Sequence, residues 1–571
     1  MAPPRREARR ANTPDASAFV LAARDDNNGN DNRQRNDDSS EQTIWGRRSS
    51  NNNNDNSAAA GRRRHDGHDH HDDFASYATG GGTDGYYTKP HESVGFWHHK
   101  MSKVRKHVLL MWARTILILI VAIMGVLSLY WGVLYNAEDR LRNFVVYVVD
   151  FDGQVAPYDT EPNPFVGETM VNAALGMVNN PAQKMSLGYT VVNPAEFDFN
   201  PTAVRQAVYD WRCWAAVIVH PNATALLREA VAVGNASYSP AGSVQYVYQT
   251  ARQDTATYNY IRPALDALTT SFGAQFGRQW SEQLMSNASL SRQTMAQAPA
   301  AINPGISPLP IDLRPFQPAT VTASVSIGLI YLIITSFFSF SFFLPIHMKY
   351  IQPQGHPPLH FWQFIIWRWI ATIVAYFFVS LGYSLVSLAM QVPFWMPPAS
   401  PTEVAFNPTA YGLASFPVWW MINFLGMVAL GFASENVAMV VGQPWAALWL
   451  IFWVITNVTT SFYAYEVIPT FYSWGYAWPL HSVVEASRHI LFDLKSDIGK
   501  DIGILLAWGA VNTAFFPLCC YIMRWKTERE QRMQEKNKDQ YVVKTEDGEK
   551  HLPKDKGEKP PLRKRGFMRG V

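Results

Sequence analysis

The sequence lacks most of the signatures by which enzymes and metal proteins are recognised. Its 571 residues include three cysteines, Cys213, Cys519 and Cys520, with no metal-site spacing and no basis for an internal disulfide framework. It has no glycine-rich phosphate loop, zinc signature or nucleophile elbow. The net charge of +3 is too small to favour nucleic acid as a partner. We therefore predict no enzyme, no cofactor and no metal site.

The N-terminus also lacks the apolar core of a signal peptide. Residues 1–98 are rich in Asn, Asp, Arg, Gly and Ser, and they could bury too little apolar surface to offset the entropy of ordering. This segment and the charged residues 526–571 are predicted to be disordered tails. A transition metal is one interpretation of a histidine-rich stretch in the first tail, but a solvated polar tract is the better one, because nothing else there would shape a site. Its histidines are His65, His68, His70 and His71.

Long apolar runs are what the sequence does contain, and about 20 apolar residues are enough for a helix to cross a membrane. We predict an α-helical polytopic membrane protein with six transmembrane helices. The first covers residues 105–135, and a five-helix domain covers residues 319–525. Tryptophan is abundant, at 20 residues, as aromatic belts at membrane interfaces require. Basic residues precede the first run and follow the last, so the positive-inside rule predicts that both tails are cytosolic. These residues are Lys100, Lys103, Arg105, Lys106, Arg524, Lys526, Arg529 and Arg532.

Residues 136–318, between the first and second runs, are predicted to form an extracytosolic α/β domain. Short runs of β-branched and aromatic residues alternate with helical patterns there, and "WAAVIVHP" is apolar enough for a central strand. Three glycosylation sequons, at Asn222, Asn235 and Asn287, favour the same side. The domain opens with "FVVYVVDFDG", whose Asp150 and Asp152 indicate a turn rather than a calcium loop, because the glutamate that would complete such a loop is missing.

This layout resembles that of the fungal nitrosoguanidine-resistance membrane protein family. One span, a large ectodomain that opens with "VVYVVDFDGQV", and then five spans are shared features, and "YSWGYAWPLHSVVEASRHILFD" at 472–493 is similar to the element before the last span of type-two ABC exporters. The YhgE and phage-infection-protein group is similar as well. The resemblance covers roughly residues 100–525. It implies a plasma-membrane protein with a role in drug or mutagen tolerance and a link to the distribution of phospholipids between leaflets.

Polar residues inside the apolar runs are the candidate functional residues, because they are costly in a membrane unless they are paired or hydrated. At 1.5 Å per residue, Arg368 lies about 6 Å and Glu435 about 9 Å from the cytosolic ends of their runs, so we predict that they pair. Separate snorkelling to the interface is the alternative. Asn423 and Asn457 are predicted to line the same interior, as the cytosolic opening of a substrate path.

The helix near 482–494 has polar residues on one side and apolar residues on the other, which predicts an interfacial helix on the outer leaflet. A catalytic Glu–His pair is the alternative. Its polar side carries His481, Glu485, Arg488 and His489.

Two function classes remain open. One is a permease or exporter for amphipathic small molecules or lipids, driven by a partner ATPase or a gradient. The other is a non-transporting scaffold or regulator of lipid asymmetry and stress response. The predicted partners are membrane lipids, an amphipathic substrate, and a second copy of the chain or another protein. The predicted location is the plasma membrane.

Overall fold

The computed structural model of the chain describes residues 93–179, 186–351, 355–442 and 444–546. The histidine-rich stretch with His65, His68, His70 and His71 lies outside these residues, as does almost all of the predicted N-terminal tail. The strands are β1 (Val145–Asp150), β2 (Gly188–Val191), β3 (Ala215–Val219), β4 (Ala241–Tyr248) and β5 (Ser307–Asp312). The longer helices are α1 (Ser102–Gly132), α2 (Val166–Asn179), α3 (Pro201–Tyr209), α4 (Ala223–Val233), α5 (Arg262–Ser286), α6 (Ile330–Met348), α7 (Phe361–Ala389), α8 (Ser415–Val441), α9 (Ala446–Ser461), α10 (Pro479–Phe492) and α11 (Ile498–Glu546).

The strands form one mixed sheet in the order β2-β1-β3-β4-β5. β1 pairs in parallel with both β2 and β3, while β3 and β4 are antiparallel. Successive side chains of a strand point to opposite faces, and β1 is buried on both: Val148 packs with the core that includes α2, α4 and α5, and Val149 with the core that includes α3. The sheet therefore lies between helices, and the continuously apolar β3 is central, as predicted.

β5 and α3 are the parts of this domain that the sequence did not predict. β5 lies in the proline-rich segment that was interpreted as a connection back to the membrane, and it contains Pro308 and Pro310. Proline lacks an N–H and is confined to positions that need no ladder donor, chiefly on edge strands. β5 pairs only with β4, at the edge of the sheet, so its prolines are compatible with that position.

Five helical segments are long and apolar enough to cross a membrane. They are His99–Gly132, Ile327–Met348, Phe361–Ala389, Gly412–Val441 and Ile498–Glu535. The sixth predicted span is the shorter α9, whose 16 residues are about 24 Å long, against about 30 Å for the hydrocarbon core. α9 still runs toward the α/β domain, because Phe462 just beyond it accepts a hydrogen bond from Gln253 at 2.6 Å. The last helix continues to Glu546, well into the predicted C-terminal tail.

The predicted interfacial helix exists as α10, but it does not lie on a surface. Every residue of α10 except Glu485 is buried. Its apolar side packs against α8 and neighbouring helices, where Val483 and Val484 belong to the core of the membrane helices. Its polar side faces the α/β domain, to which Arg488 is bonded. The interfacial assignment of His481, Glu485, Arg488 and His489 is therefore wrong, because both sides of the amphipathic pattern are satisfied inside the protein.

Candidate functional site

A cavity of about 210 Å³ lies where the α/β domain meets the membrane helices, and we call it the polar cavity. The α/β domain contributes the loop before β3 and the residues after β4. The other walls come from the end of α9, from α10, and from the start of α11. Charged and aromatic side chains dominate the lining: Trp211, Trp214, Arg252, Tyr463, Tyr465, Glu466, Tyr476, His481, Glu485, Arg488, His489, Lys495, Asp497, Lys500 and Asp501.

Arg252 forms the wall on the side of the α/β domain. Its guanidinium carbon lies 3.6 Å from the ring centre of Trp214 and 5.0 Å from that of Trp211. A guanidinium over an aromatic face is attracted by the ring quadrupole. Glu466 accepts a 2.8 Å hydrogen bond from Trp214 Nε1 and lies 3.9 Å from the Arg252 guanidinium. Burial lowers the pKa of Arg252 to about 10, so the side chain keeps its charge at neutral pH. This cation is already balanced by protein groups.

Arg488 joins α10 to the α/β domain across the same cavity. It donates to the Asp254 carboxylate at 2.9 Å and to the Arg252 carbonyl at 2.6 Å. Only 3% of its side chain is exposed. Its Nε has no hydrogen-bond partner among the described residues. Breaking such a buried pair leaves an uncompensated charge, so Arg488 fixes the position of α10.

The opposite wall is aromatic and acidic. The rings of Tyr465 and Tyr476 stack with centres 3.8 Å apart, and His481 stands edge-on to both, at 5.2 and 5.5 Å. Burial lowers the pKa of His481, so its ring is neutral near pH 7. Its Nδ1 has no hydrogen-bond partner among the described residues. Burial first, and then neighbouring groups that include Glu485, raise the pKa of both tyrosines, and the described residues place no cation within 4.0 Å of the Glu485 carboxylate.

A second cavity, of about 410 Å³, lies among α8, α9 and α11, and we call it the apolar cleft. No Asp, Glu, Lys, Arg or His is among the described residues that line it. Asn436 and Asn512 are its polar contributions, and they bond to each other at 3.3 Å. Phe515 lines the cleft and is half exposed, so the cleft reaches the surface that would face lipid.

Three tryptophans cluster in the lining of the apolar cleft, and we call Trp453, Trp478 and Trp508 the tryptophan layer. Their ring centres lie 5.5 to 5.8 Å from one another. Trp478 donates to Thr456 Oγ1 at 3.1 Å and Trp508 to the Ala477 carbonyl at 2.7 Å, so both indoles are held in place.

The apolar cleft lies below the polar cavity, farther from the α/β domain. On α11 the polar cavity is lined by Asp501 and the cleft by Trp508, seven residues or about 10 Å farther along the helix. On α9 the corresponding residues are Ser461 and Trp453, about 12 Å apart. Two helices thus place a charged compartment directly above an apolar one.

The structure brings Arg368 and Glu435 together, with the Arg368 guanidinium bonded to Glu435 Oε1. Both side chains are buried, at 1% and 3% exposure. Met439 Sδ lies 3.2 Å from the guanidinium, and the Phe516 ring centre lies 5.2 Å from it. Neither member of the pair lines the polar cavity or the apolar cleft. The pair therefore ties α7 to α8, and its predicted place at the opening of a path stays a prediction.

Asn423 and Asn457 do not join this pair. Asn423 lies twelve residues from Glu435 along α8, about 18 Å, and donates to Ser384 Oγ at 3.0 Å. Asn457 accepts from the backbone N–H of Leu480 at 3.2 Å and so caps the first turn of α10. The prediction of one shared polar interior is wrong, since each amide satisfies a separate helix contact.

Asp150 is the last residue of β1 and Asp152 follows it, at the end of the strand where α2 and α4 begin. The Asp152 carboxylate accepts from the N–H of Thr224 at 2.9 Å and from the N–H of Gly167 at 3.4 Å. Asp150 accepts from the N–H of Asp152, as in an Asx turn. It lies so close to Gly167 that a Cβ there would come within 1.8 Å of its Oδ1. The two carboxylates therefore bond to backbone donors at this turn and at the starts of α2 and α4.

The three sequon asparagines lie on the surface of the α/β domain. Asn235 and Asn287 are exposed and Asn222 is half-buried just before α4. The loop at 391–414 lies on the same side, because the N–H of Ala405 donates to the Leu313 carbonyl at 3.1 Å. Glycosylation itself stays a prediction.

Sequence reasoning missed most of the residues that line the polar cavity. They come from positions 211 to 501, so no local spacing connects them. The available signal was the density of aromatic and charged residues in short stretches such as "DWRCW" and "YAYE", at the ends of apolar runs.

Comparisons with known proteins give a family and a yeast relative, but no activity. A family described as a protein of unknown function, DUF3533, matches residues 115–514. An uncharacterized endoplasmic reticulum membrane protein of Saccharomyces cerevisiae is 27% identical over 452 residues, which cover 75% of this chain and 83% of that protein. No solved structure matches the chain.

Proposed function

We propose a function from the site itself, because the chain belongs to the DUF3533 family, whose description names no activity. The protein is a multi-pass permease or exporter for amphipathic small molecules, either drug-like compounds or lipids. It carries no recognisable ATPase of its own, so a partner ATPase or a gradient supplies the energy. The resemblance to nitrosoguanidine-resistance proteins and to the membrane part of exporters supports this class.

The proposal rests on the arrangement of the two cavities: the polar cavity lies above the apolar cleft. Ligand sites combine apolar walls with a few placed polar groups, and here the two components are separated by height. A molecule with a charged head and an apolar body would place its head in the polar cavity and its body in the apolar cleft. Trp478 lines the cleft only three residues before His481, which lines the polar cavity, so it is suited to the level where an amphiphile changes from polar to apolar, as interfacial tryptophans are.

The route to the cleft supports a substrate taken from the membrane. Phe515 and Val437 line the cleft and are at least partly exposed on the surface of the helix bundle. An apolar body could therefore slide in between helices without passing through water. A soluble substrate would have no use for a compartment whose lining is almost entirely apolar.

The membrane in which the protein resides is proposed from the family resemblance and from the yeast relative. The resemblance predicts the plasma membrane, whereas the yeast relative is named as an endoplasmic reticulum membrane protein. The α/β domain would face the outside in the first case and the lumen in the second, with both tails cytosolic. Endoglycosidase treatment tests whether Asn235 and Asn287 carry glycans, as they should if the α/β domain is outside the cytosol. Tags on the two tails provide a second test, and their digestion by protease added outside intact cells would contradict the cytosolic location of the tails.

Efflux of a fluorescent amphiphile from cells that express the protein tests the function. Val437→Trp adds an indole inside the apolar cleft, and Ala510→Trp adds the same group on the exposed face of α11 as a matched control. We expect the first variant to lose most of the protein-dependent efflux and the second to keep it, at equal amounts of folded protein. Equal efflux by both variants would remove the cleft from the path. Cells that show no protein-dependent efflux with any amphiphile would favour the non-transporting scaffold instead.

A further inference from the structure

The polar cavity contains more ionisable side chains than the salt bridges of its two arginines use. Arg252 is matched by Glu466, and Arg488 is matched by Asp254. The cavity is left with two lysines and three carboxylates. The remaining carboxylates are Glu485, Asp497 and Asp501, and the lysines are Lys495 and Lys500. Burial raises the pKa of Asp501 to about 7, so these five groups together are close to neutral, and the preference for a ligand depends on which groups surround it.

One of the two lysines stands beside an aromatic ring of the α/β domain. The ammonium of Lys495 lies 5.7 Å from the ring centre of Trp211, on the side of the α/β domain. Glu485 belongs to α10 and lines the cavity together with the tyrosine pair, and its charge also acts on Arg252. Among the described residues no cation lies within 4.0 Å of this carboxylate, which shares the cavity with the aromatic rings.

That aromatic part has the composition of a cation site. Alkylammonium groups bind where aromatic faces and a carboxylate meet, because the ring quadrupole and the charge act together. The stacked Tyr465 and Tyr476 supply the faces, and 49% of Tyr476 is exposed, so a ligand can reach it. Burial disfavours the charged form of His481, which leaves a neutral ring beside them.

His481 adds a second and independent observation. It is 7% exposed, it lines the cavity, and its Nδ1 has no hydrogen-bond partner among the described residues. A neutral imidazole has one acceptor nitrogen, which is Nδ1 in the tautomer that carries its proton on Nε2. A buried acceptor without a donor costs free energy that an N–H of a ligand would recover. Arg488 Nε is an unpartnered donor, and a water or an acceptor atom next to the amine would satisfy it.

We propose that the polar cavity binds the cationic head of an amphiphile, a protonated amine or a quaternary ammonium, whose apolar body occupies the apolar cleft beside the tryptophan layer. This inference rests on the proposed function for its biological meaning, and it names the substrate class. Glu485 provides the charge, Tyr465 and Tyr476 provide the aromatic faces, and His481 accepts from a protonated amine.

Binding by the full chain in lipid nanodiscs tests the proposal without any transport step. Dodecyltrimethylammonium, dodecylammonium and dodecyl sulfate share one chain and differ in the head, and each is added below its micelle-forming concentration. Tryptophan fluorescence reports binding, because the tryptophan layer lies beside the expected chain. We expect saturable binding of both cations and at least tenfold weaker binding of the sulfate.

Variants separate the head site from general adsorption. Glu485→Gln should weaken binding of both cations about tenfold, and Glu138→Gln, at an exposed carboxylate that does not line the cavity, should leave it unchanged. Tyr476→Leu, at a largely exposed residue, serves as a second variant if Glu485→Gln fails to fold, and it should weaken the quaternary ammonium most.

Tight binding of dodecyl sulfate, or cation binding that none of the variants changes, would overturn the inference. Saturable cation binding without any efflux would leave it standing and overturn only the transport function. Efflux without preference for the cationic head would overturn this inference and leave the transport function standing.

Discussion

Separating Arg368 from Glu435 should destabilise the helix bundle strongly, whereas removing both should not. With Glu435→Leu the guanidinium stays buried beside Met439 and Phe516, with no carboxylate to balance it. With Arg368→Met the carboxylate is left in the same position. Removing one partner of a buried pair costs about 3–5 kcal/mol, while replacing both by apolar residues of similar volume is often neutral.

The magnitude makes the effect measurable. For a helix domain of about 200 residues, 3–5 kcal/mol corresponds to a fall of roughly 6–20 °C in the unfolding midpoint. Each single variant should show such a fall in purified protein, followed by the loss of monodisperse protein after heating. The double variant should return to within a few degrees of the native chain.

A matched control is available in α1. Arg114 is exposed on that peripheral helix, so Arg114→Met removes a charge from an apolar run without breaking a buried pair. It should shift the midpoint by less than either single variant. A double variant that is no more stable than the worse single variant would refute the reasoning, since the two charges would then not be coupled.

Three further predictions concern other buried charges. Exchanging the pair, Arg368→Glu with Glu435→Arg, should restore efflux better than either single change when all variants reach the membrane equally. Burial raises the pKa of Asp150 from 3.8 to about 6, so this group binds its proton more tightly in the folded state, and its stability contribution falls as the pH rises from about 4 to 6. Asp150→Asn should therefore raise the unfolding free energy at pH 7.5 by at most about 3 kcal/mol and change it little at pH 4, and an equal effect at both pH values would contradict this. Arg314 is fully buried, and its guanidinium donates to the carbonyls of Glu403, Ser400 and Asp493. Lysine cannot make all of these bonds, so Arg314→Lys should speed amide hydrogen exchange in the loop at 395–405. Unchanged exchange would show that the loop does not depend on the guanidinium.

Local hydrophobic patterns predicted the elements whose own residues are apolar enough to require burial. β1 and β3 are apolar enough to be buried on both faces, and helices on both sides of the sheet do bury them. β5 was missed because its prolines argue against a strand, and only the edge position of the strand removes that objection. Such positions follow from the order of strands in the sheet, which no local pattern contains.

The amphipathic pattern of α10 shows why the site could not be predicted. A helix with one polar side signals that the side meets a polar environment, but it does not say whether that environment is water, a lipid headgroup or protein. Here it is the polar cavity and the Asp254 carboxylate of the α/β domain, more than 200 residues earlier in the chain. The same pattern would therefore describe an interfacial helix and a buried one equally well.

The pairing of charges in the polar cavity also depends on contacts between distant parts of the chain. Glu485 could be interpreted from the sequence as half of a catalytic pair with His489, four residues on. In the structure His489 bonds to the Leu494 carbonyl and lies 3.2 Å from the Tyr411 hydroxyl, so both of its ring nitrogens are occupied. Glu485 instead lines the cavity with the tyrosines, where its charge acts on Arg252 of the α/β domain. Because this distinction depends on which side of α10 each neighbour approaches, the packing of α10 between the α/β domain and the membrane helices decides the chemistry that its polar residues can perform.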